Sequence, residues 1–326
     1  MNRRTLLTLS LPAFAAALPV AAQQPAPAGA ADLDTALARF RAIPGRSSYL
    51  IAVGADGRAL REAHAASDTL FVGSAVKTFI LARYLQDVEA GRLKESEPLR
   101  IDDAVRSPSS PVLLDMTGRM PARYVLEAMI SHSDNTATDA CLLKAGPERV
   151  RAFIAKAGLH ATRIPDSTRR LFSYLVGAPE GVDVGWAAMR QAMDGKLLGK
   201  PRSPLNDKQT MVSSAEDMVS YYQRALRGAF FSKPETLVEF KRILAMADAI
   251  SRAVPADHAA YAKGGSIDWE GFHALCFPGQ MMLGSTPATF CFTLNWTGSD
   301  KEAAPIMADY LSAVTAILLA VARRRA

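Results

Sequence analysis

The segment Thr289-Phe290-Cys291-Phe292-Thr293-Leu294-Asn295-Trp296 is rich in aromatic and apolar residues, a composition typical of a buried β-strand. A preceding strand is predicted over residues 271–275, with Ser285-Thr286-Pro287 as the turn between the two. Near the other end of the chain, residues 49–53 and 60–64 are predicted to form a hairpin. The simplest packing joins the early and late strands in one antiparallel sheet.

Helical patterns flank and separate these strands. Apolar residues at helical spacing predict a helix over residues 32–40, and an apolar helix is predicted to close the chain over residues 303–322. Between the two groups of strands, residues from about 100 to 245 are predicted to be mainly helices and loops. The predicted fold class is therefore α/β (α+β): an antiparallel sheet flanked by terminal helices, plus an inserted all-α lobe.

This pattern also predicts how the chain is divided. The α/β lobe is predicted to comprise residues of about 32–72 and 246–326, and the α lobe residues of about 73–245. Because ligand sites favour clefts between such units, the junction of the two lobes is the expected place for a functional site.

Composition narrows the class of protein. The chain has 326 residues, of which 49% are apolar and 21% charged, so it can bury a large core and is not a disordered or collagen-like chain. Its net charge is +6 (38 − 32), and no basic run is interleaved with aromatic residues, so no nucleic-acid partner is predicted. The continuous apolar part of the closing helix is short for a bilayer, so no stable membrane insertion is predicted.

Cysteines and histidines give no sign of a metal or a cofactor. The five histidines are scattered and form no zinc-type spacing, so the prediction is no metal site and no cofactor. Three cysteines are too few for a disulfide scaffold. Cys141, Cys276 and Cys291 are predicted to be buried thiols.

The first residues have the pattern of an export signal. Arg3 and Arg4 precede an apolar run over residues 6–20, and Val20-Ala21-Ala22 fits a small-residue cleavage site. We therefore predict a cleaved signal over residues 1–22, whose paired arginine allows the twin-arginine type, and a periplasmic or secreted body over residues 23–326. A retained membrane anchor is the alternative.

Three short motifs carry the candidate chemistry. Ser74 and Lys77 form a Ser-x-x-Lys pair at a predicted helix start, where the serine meets the positive end of the helix dipole. The lysine lies on the same helical face, and a desolvated lysine can act as a base. Ser133-Asp134-Asn135 follows in the helical block, and Lys263-Gly264-Gly265 precedes the late strands.

In this order and context, the three motifs resemble those of class A β-lactamases and related penicillin-recognising serine hydrolases. The resemblance covers nearly the whole chain after the signal, and Gly264 stands where the family usually has threonine. It implies the two-lobed fold predicted above. It also implies a substrate that is a β-lactam or a peptidoglycan-like peptide, in a protein that acts as a monomer.

The resemblance further implies a role for each matching residue. The catalytic residues would be Ser74 as the acylated nucleophile, Lys77 as its proton acceptor, Ser133 as proton relay to the leaving nitrogen, and Lys263 as a positive charge for the substrate carboxylate and for Ser133. The substrate-binding residues would be Asn135, Gly265 and Ser266, and Asn135 would both hold the substrate's side-chain amide and help to place Lys77. The backbone N–H groups of Ser74 and Ser266 would form the oxyanion hole.

One feature of the class A enzymes is missing. Their deacylating glutamate stands in a Glu-x-x-Leu-Asn stretch, and the corresponding residues 162–172 contain no such stretch. The nearby acids are Asp166 and Glu180, and either would need a rearranged loop to act as the deacylating base. Hydrolysis of the acyl-enzyme is therefore the step that the sequence supports least.

Several functions stay open at this point. The leading hypothesis is a serine β-lactamase-type hydrolase that opens a β-lactam or related amide. The alternatives are a D,D-peptidase or amidase on the same scaffold, and a penicillin-binding sensor that stays acylated. A non-catalytic descendant is disfavoured, because the serines and lysines of all three motifs are present.

Overall fold

A computed structural model describes residues 32–324 of the chain, so the predicted export signal lies outside the described residues. The strands are β1 (Arg46–Val53), β2 (Leu60–His64), β3 (Leu70–Phe71), β4 (Pro98–Ile101), β5 (Gly118–Pro121), β6 (Val212–Ser213), β7 (Ala260–Ala262), β8 (Gly265–Trp269), β9 (Phe272–Leu283) and β10 (Thr286–Thr297). The helices are α1 (Leu33–Arg41), α2 (Lys77–Glu89), α3 (Ala122–Ser131), α4 (Asn135–Ala145), α5 (Pro147–Lys156), α6 (Thr168–Leu175), α7 (Gly185–Met193), α8 (Ala215–Ala225), α9 (Pro234–Leu244), α10 (Ile250–Ala253) and α11 (Asp300–Arg323).

The predicted pairing of early and late strands is confirmed. The main sheet has the order β2-β1-β10-β9, and β7 and β8 both pair with β9 at the far edge. All of its pairings are antiparallel, and Tyr49 of β1 lies opposite Phe292 of β10. Lys263 and Gly264 lie between β7 and β8, so the third motif interrupts the edge strand.

One face of the sheet is covered by the two terminal helices. The Phe40 ring of α1 packs against Tyr49, Phe292 and Tyr310, with ring centroids 5.6 to 5.8 Å apart. The Tyr310 hydroxyl donates to the backbone oxygen of Phe292 over 2.9 Å. Each such aromatic side chain contributes about 1.5–3 kcal/mol of apolar burial, so this cluster fixes the first layer of the fold.

Helix α11 is longer than the sequence pattern predicts. It extends from Asp300 to Arg323, and by length and composition it qualifies as a membrane-spanning helix, with a window of mean hydropathy 1.8. In the structure its residues Ile317 and Leu318 are fully buried in the core against the sheet, and 39% of the window is buried. Its apolar face therefore belongs to the core, and the absence of membrane insertion stays a prediction.

The opposite face of the sheet supports the inserted helices. Helix α8 lies across β1, β9 and β10, and α2 contacts α3, α4, α5 and α9 in the middle of the helical lobe. The lobe is not purely helical within residues 32–324, because β4 pairs with β5, and β6 pairs with β3. The two-lobed α/β architecture matches the predicted fold class.

Candidate active site

Ser74 lies in a tight turn directly before the central helix. Residues Gly73–Val76 form a 3₁₀ turn, and α2 begins only at Lys77, so the nucleophile candidate precedes the regular helix that the sequence predicts. Gly73 has φ +53°, a left-handed conformation that favours glycine.

Strand β8 approaches this turn with no room between the two backbones. A Cβ atom on Gly265 would lie 2.7 Å from the Ser74 nitrogen and 2.6 Å from the Ala75 nitrogen, and closer still to the Val72 oxygen. A Cβ on Gly73 would lie 2.9 Å from the Ser266 nitrogen. Only glycine fits at position 265, and its fit brings the backbones of Ser74 and Ser266 together.

The Lys77 side chain joins the first motif to the second. It is completely buried, and its Nζ lies 2.7 Å from Asn135 Oδ1, 2.5 Å from the Ser133 oxygen and 3.2 Å from Ser133 Oγ. Burial, followed by the positive charge of Lys263, holds the pKa of Lys77 well below its usual range, against the opposing charges of three carboxylates: Asp134, Asp139 and Asp248. A lysine in this environment is suited to act as a base.

Ser133 is held in an unusual backbone conformation. Its φ is +56°, in the left-handed region that costs a residue with a side chain about 1–3 kcal/mol. The neighbouring Asp134 fixes it, because that carboxylate caps α4 at Ala137 and accepts the N–H groups of Val112 and Leu113 at 2.9 and 2.8 Å. The strain is therefore supported by a fully satisfied buried aspartate.

Both polar atoms of the Asn135 side-chain amide already have hydrogen-bond partners. Its Oδ1 accepts from Lys77, and its Nδ2 donates to the Pro108 oxygen over 2.8 Å. Of the two roles predicted for Asn135, the placement of Lys77 is the one that these contacts support. Holding a substrate amide would require Asn135 to exchange one of them.

Lys263 brings the third motif to the same junction. Its side chain is 1% exposed, and its Nζ donates to the Gly264 oxygen over 2.8 Å. Burial lowers the pKa of Lys263 to about 8, and the negative charge of Asp248 opposes that shift. Lys263 is thus mostly an ammonium at neutral pH, and its charge in turn acts on Lys77.

Hydrogen bonds of Arg169 join α6 to the loop between β4 and β5. The Arg169 guanidinium makes two hydrogen bonds of 2.7 Å to the Asp183 carboxylate. It also donates to the backbone oxygens of Asp103, Ala104 and Arg106. This bidentate pair closes residues 169–183 into a loop.

Asp139 anchors the start of the same helix. It lies one turn after Asn135 in α4, and its two oxygens accept the N–H groups of Thr168 and Arg169 at 2.6 and 3.0 Å. Burial raises the pKa of Asp139 to about 6, although these hydrogen bonds oppose the shift. Sequence reasoning missed this residue, and its i,i+4 spacing from Asn135 is the signal that points to it.

The structure does not bring Asp166 or Glu180 into this network. Asp166 Oδ2 accepts from Gln209 over 2.7 Å, and its Oδ1 is paired with Arg151. Burial raises the pKa of Asp166, but these contacts outweigh burial and hold the pKa below its usual value. Glu180 is exposed and lies 3.4 Å from Lys208. Both carboxylates are therefore engaged by side chains outside the network of Lys77, Ser133 and Asn135.

Comparison with known proteins gives one family by sequence. The profile of the family described as "Beta-lactamase enzyme family" matches residues 40–273 of the chain. A search of curated protein sequences finds no match.

Solved structures give the fold. The β-lactamase from Chitinophaga pinensis DSM 2588 has a TM-score of 0.70 at 16% identity, covering 90% of this chain and 98% of its own. An ancestral (GNCA) class A β-lactamase has a TM-score of 0.68 at 18% identity, with 90% and 100% covered. The protein PBP-A has a TM-score of 0.64 at 14% identity, with 89% and 96% covered. The chain shares the architecture of all three.

Proposed function

The chain belongs to the β-lactamase enzyme family, and on that premise we propose that it is a serine hydrolase that opens a β-lactam or related amide through an acyl-enzyme on Ser74. The observation that carries the proposal is the buried Lys77 Nζ, which touches Ser133 and Asn135 one helical turn after Ser74. A buried lysine at this point is suited to pass a proton between the nucleophile and the proton relay.

Acylation proceeds by three proton transfers. The Ser74 Oγ bonds to the carbonyl carbon and its proton passes to the neutral Lys77 amine, whose burial supports this role. The carbon–nitrogen bond then breaks, and Ser133, whose Oγ lies 3.2 Å from Lys77 Nζ, passes a proton to the leaving nitrogen. Lys77 restores the proton of Ser133, so the transfers balance.

Backbone N–H groups and the buried charge of Lys263 bind two different parts of the substrate. The N–H groups of Ser74 and Ser266 stabilise the negative charge that develops on the carbonyl oxygen, and the close fit at Gly265 supports that assignment. Lys263 supplies positive charge for the substrate carboxylate. Because Lys263 is buried, this charge acts with little screening by water.

The rate of deacylation distinguishes the proposed hydrolase from the second candidate function. Hydrolysis of the ester needs a deprotonated water, and Asp166 and Glu180 are engaged with other partners. We therefore propose slow deacylation, and this feature favours a penicillin-binding sensor or a D,D-peptidase as the alternative. The periplasm or the exterior of the cell, reached through residues 1–22, is the compartment that we propose for either function.

Three substrates separate these functions in one experiment. The protein is mixed with a fluorescent penicillin, a chromogenic cephalosporin and a peptide ending in D-alanyl-D-alanine. We expect one fluorescent label per chain and slow but repeated opening of the cephalosporin. Release of D-alanine faster than any β-lactam opening would support the peptidase instead. Neither labelling nor turnover of any substrate would overturn the serine-hydrolase proposal.

A further inference from the structure

A cluster of arginines lies at the end of α2 that is remote from the candidate active site. Asp87 is in the last turn of α2, ten residues after Lys77, which corresponds to about 15 Å along a helix axis. Arg83 lies one turn before Asp87, Arg92 follows the end of α2, and Arg149 belongs to α5. The cluster is therefore separate from the three motifs of the candidate active site.

All three guanidinium groups contact the same oxygen of the Asp87 carboxylate. Asp87 is completely buried. Its Oδ1 lies 2.6 Å from Arg83 Nη2, 2.7 Å from Arg92 Nε and 2.5 Å from Arg149 Nη2. Its Oδ2 is also buried and has no hydrogen-bond partner among the described residues. One oxygen atom therefore brings three cationic side chains from two helices and a turn to one place.

The cluster has a surplus of positive charge. Three guanidinium groups face one carboxylate, and no other acid within residues 32–324 forms an ion pair with them. Burial, together with the positive charges of Arg149 and Arg92, lowers the pKa of Arg83, although the charge of Asp87 opposes the shift. The carbonyl end of α2 offsets only about half of one charge. More than one positive charge therefore stays uncompensated.

The same side chains keep hydrogen-bond donors that Asp87 does not use. Each guanidinium carries five N–H groups, and a single oxygen can accept only a few of them. The side chains of Arg92 and Arg149 are 51% and 42% exposed, so their other N–H groups are open to a ligand from solvent. Arg83 is less exposed, and its buried Nε lacks a partner in the described part of the chain. A ligand with negative charge and several acceptor oxygens would match this arrangement.

We propose that Arg83, Arg92 and Arg149 form a binding site for a phosphate group, which belongs either to inorganic phosphate or to a larger molecule. The planar fork of arginine suits this ligand, because two N–H groups of one guanidinium can bind two phosphate oxygens. A phosphate dianion balances the surplus charge that Asp87 leaves. The site goes beyond the proposed function, because it uses no residue of the three motifs.

Thermal unfolding tests the site with inorganic phosphate as the probe. We expect sodium phosphate at about 20 mM and neutral pH to raise the melting temperature by about 2–5 °C relative to sodium chloride of equal ionic strength. The double variant Arg92→Gln/Arg149→Gln removes two cations, leaves Arg83 to pair with Asp87, and should lose this difference. If the double variant does not fold, Arg92→Gln alone is compared and should lose most of the difference.

A control pair has the same change of net charge. Arg58→Gln/Arg190→Gln alters two exposed arginines away from the cluster and should keep the phosphate effect. Sedimentation with phosphatidylcholine vesicles, with and without phosphatidic acid, identifies the source of the phosphate group. Binding that needs both phosphatidic acid and the cluster assigns the site to a lipid headgroup, whereas a phosphate effect without vesicle binding assigns it to a soluble phosphate. No effect beyond that of chloride, or an equal effect in Arg92→Gln/Arg149→Gln, would overturn the site.

Discussion

Replacing Ser74 by alanine is expected to abolish covalent labelling by a fluorescent penicillin. The variant lacks the only oxygen that can form the acyl bond at the turn Gly73–Val76, while Lys77 and Ser133 keep their contacts. The measurement is gel fluorescence after incubation at saturating penicillin. Ser312→Ala, at an exposed position of α11, is the matched control and should label like the wild type. Undiminished labelling of Ser74→Ala would show that the nucleophile is elsewhere.

Gly265→Ala is expected to slow acylation by about 10³. Its methyl group would meet the backbone nitrogens of Ser74 and Ala75 at 2.7 and 2.6 Å, so strand β8 must move away from the turn. A misplacement of about 1 Å costs about 10²-fold, and the loss of an oxyanion donor costs about 10²–10³. The labelling rate and the melting temperature are measured together, because overpacking also destabilises the fold by about 1–3 kcal/mol.

Gly298→Ala is the control for this substitution. The nearest atom to a Cβ at Gly298 is the Glu302 carboxylate at 3.1 Å, which belongs to a flexible side chain at the start of α11. We expect this variant to label at the wild-type rate. A Gly265→Ala variant that labels equally fast would show that contact between β8 and the turn is not needed for acylation.

The sequence predicts the sheet because the apolar and aromatic composition of each strand identifies it without reference to the rest of the chain. The aromatic run that contains Phe292 and the early strand that contains Tyr49 are each apolar enough to be recognised, and the structure places the two residues opposite each other. The family resemblance that the three motifs carry implies that Lys77 meets the second motif, and the structure shows its contacts with Ser133 and Asn135. Local composition was sufficient for the sheet, whereas the meeting of the motifs was expected from the resemblance.

Other features depend on contacts that no local pattern reveals. The left-handed Ser133 is set by the distant loop that donates to Asp134. Asp166 and Glu180 are close to the predicted loop in sequence, yet arginine, glutamine and lysine side chains from other segments engage them.

The lifetime of the acyl-enzyme tests the central claim most directly. The protein is mixed with excess benzylpenicillin, and its intact mass is followed by mass spectrometry while consumption of the penicillin is recorded. A Ser74 site with a lysine base, in which Asp166 and Glu180 are both engaged by other side chains, predicts rapid addition of one penicillin mass, an adduct that persists for minutes, and slow consumption. Rapid consumption with no accumulated adduct would contradict this account, since it would require a deacylating base at the site.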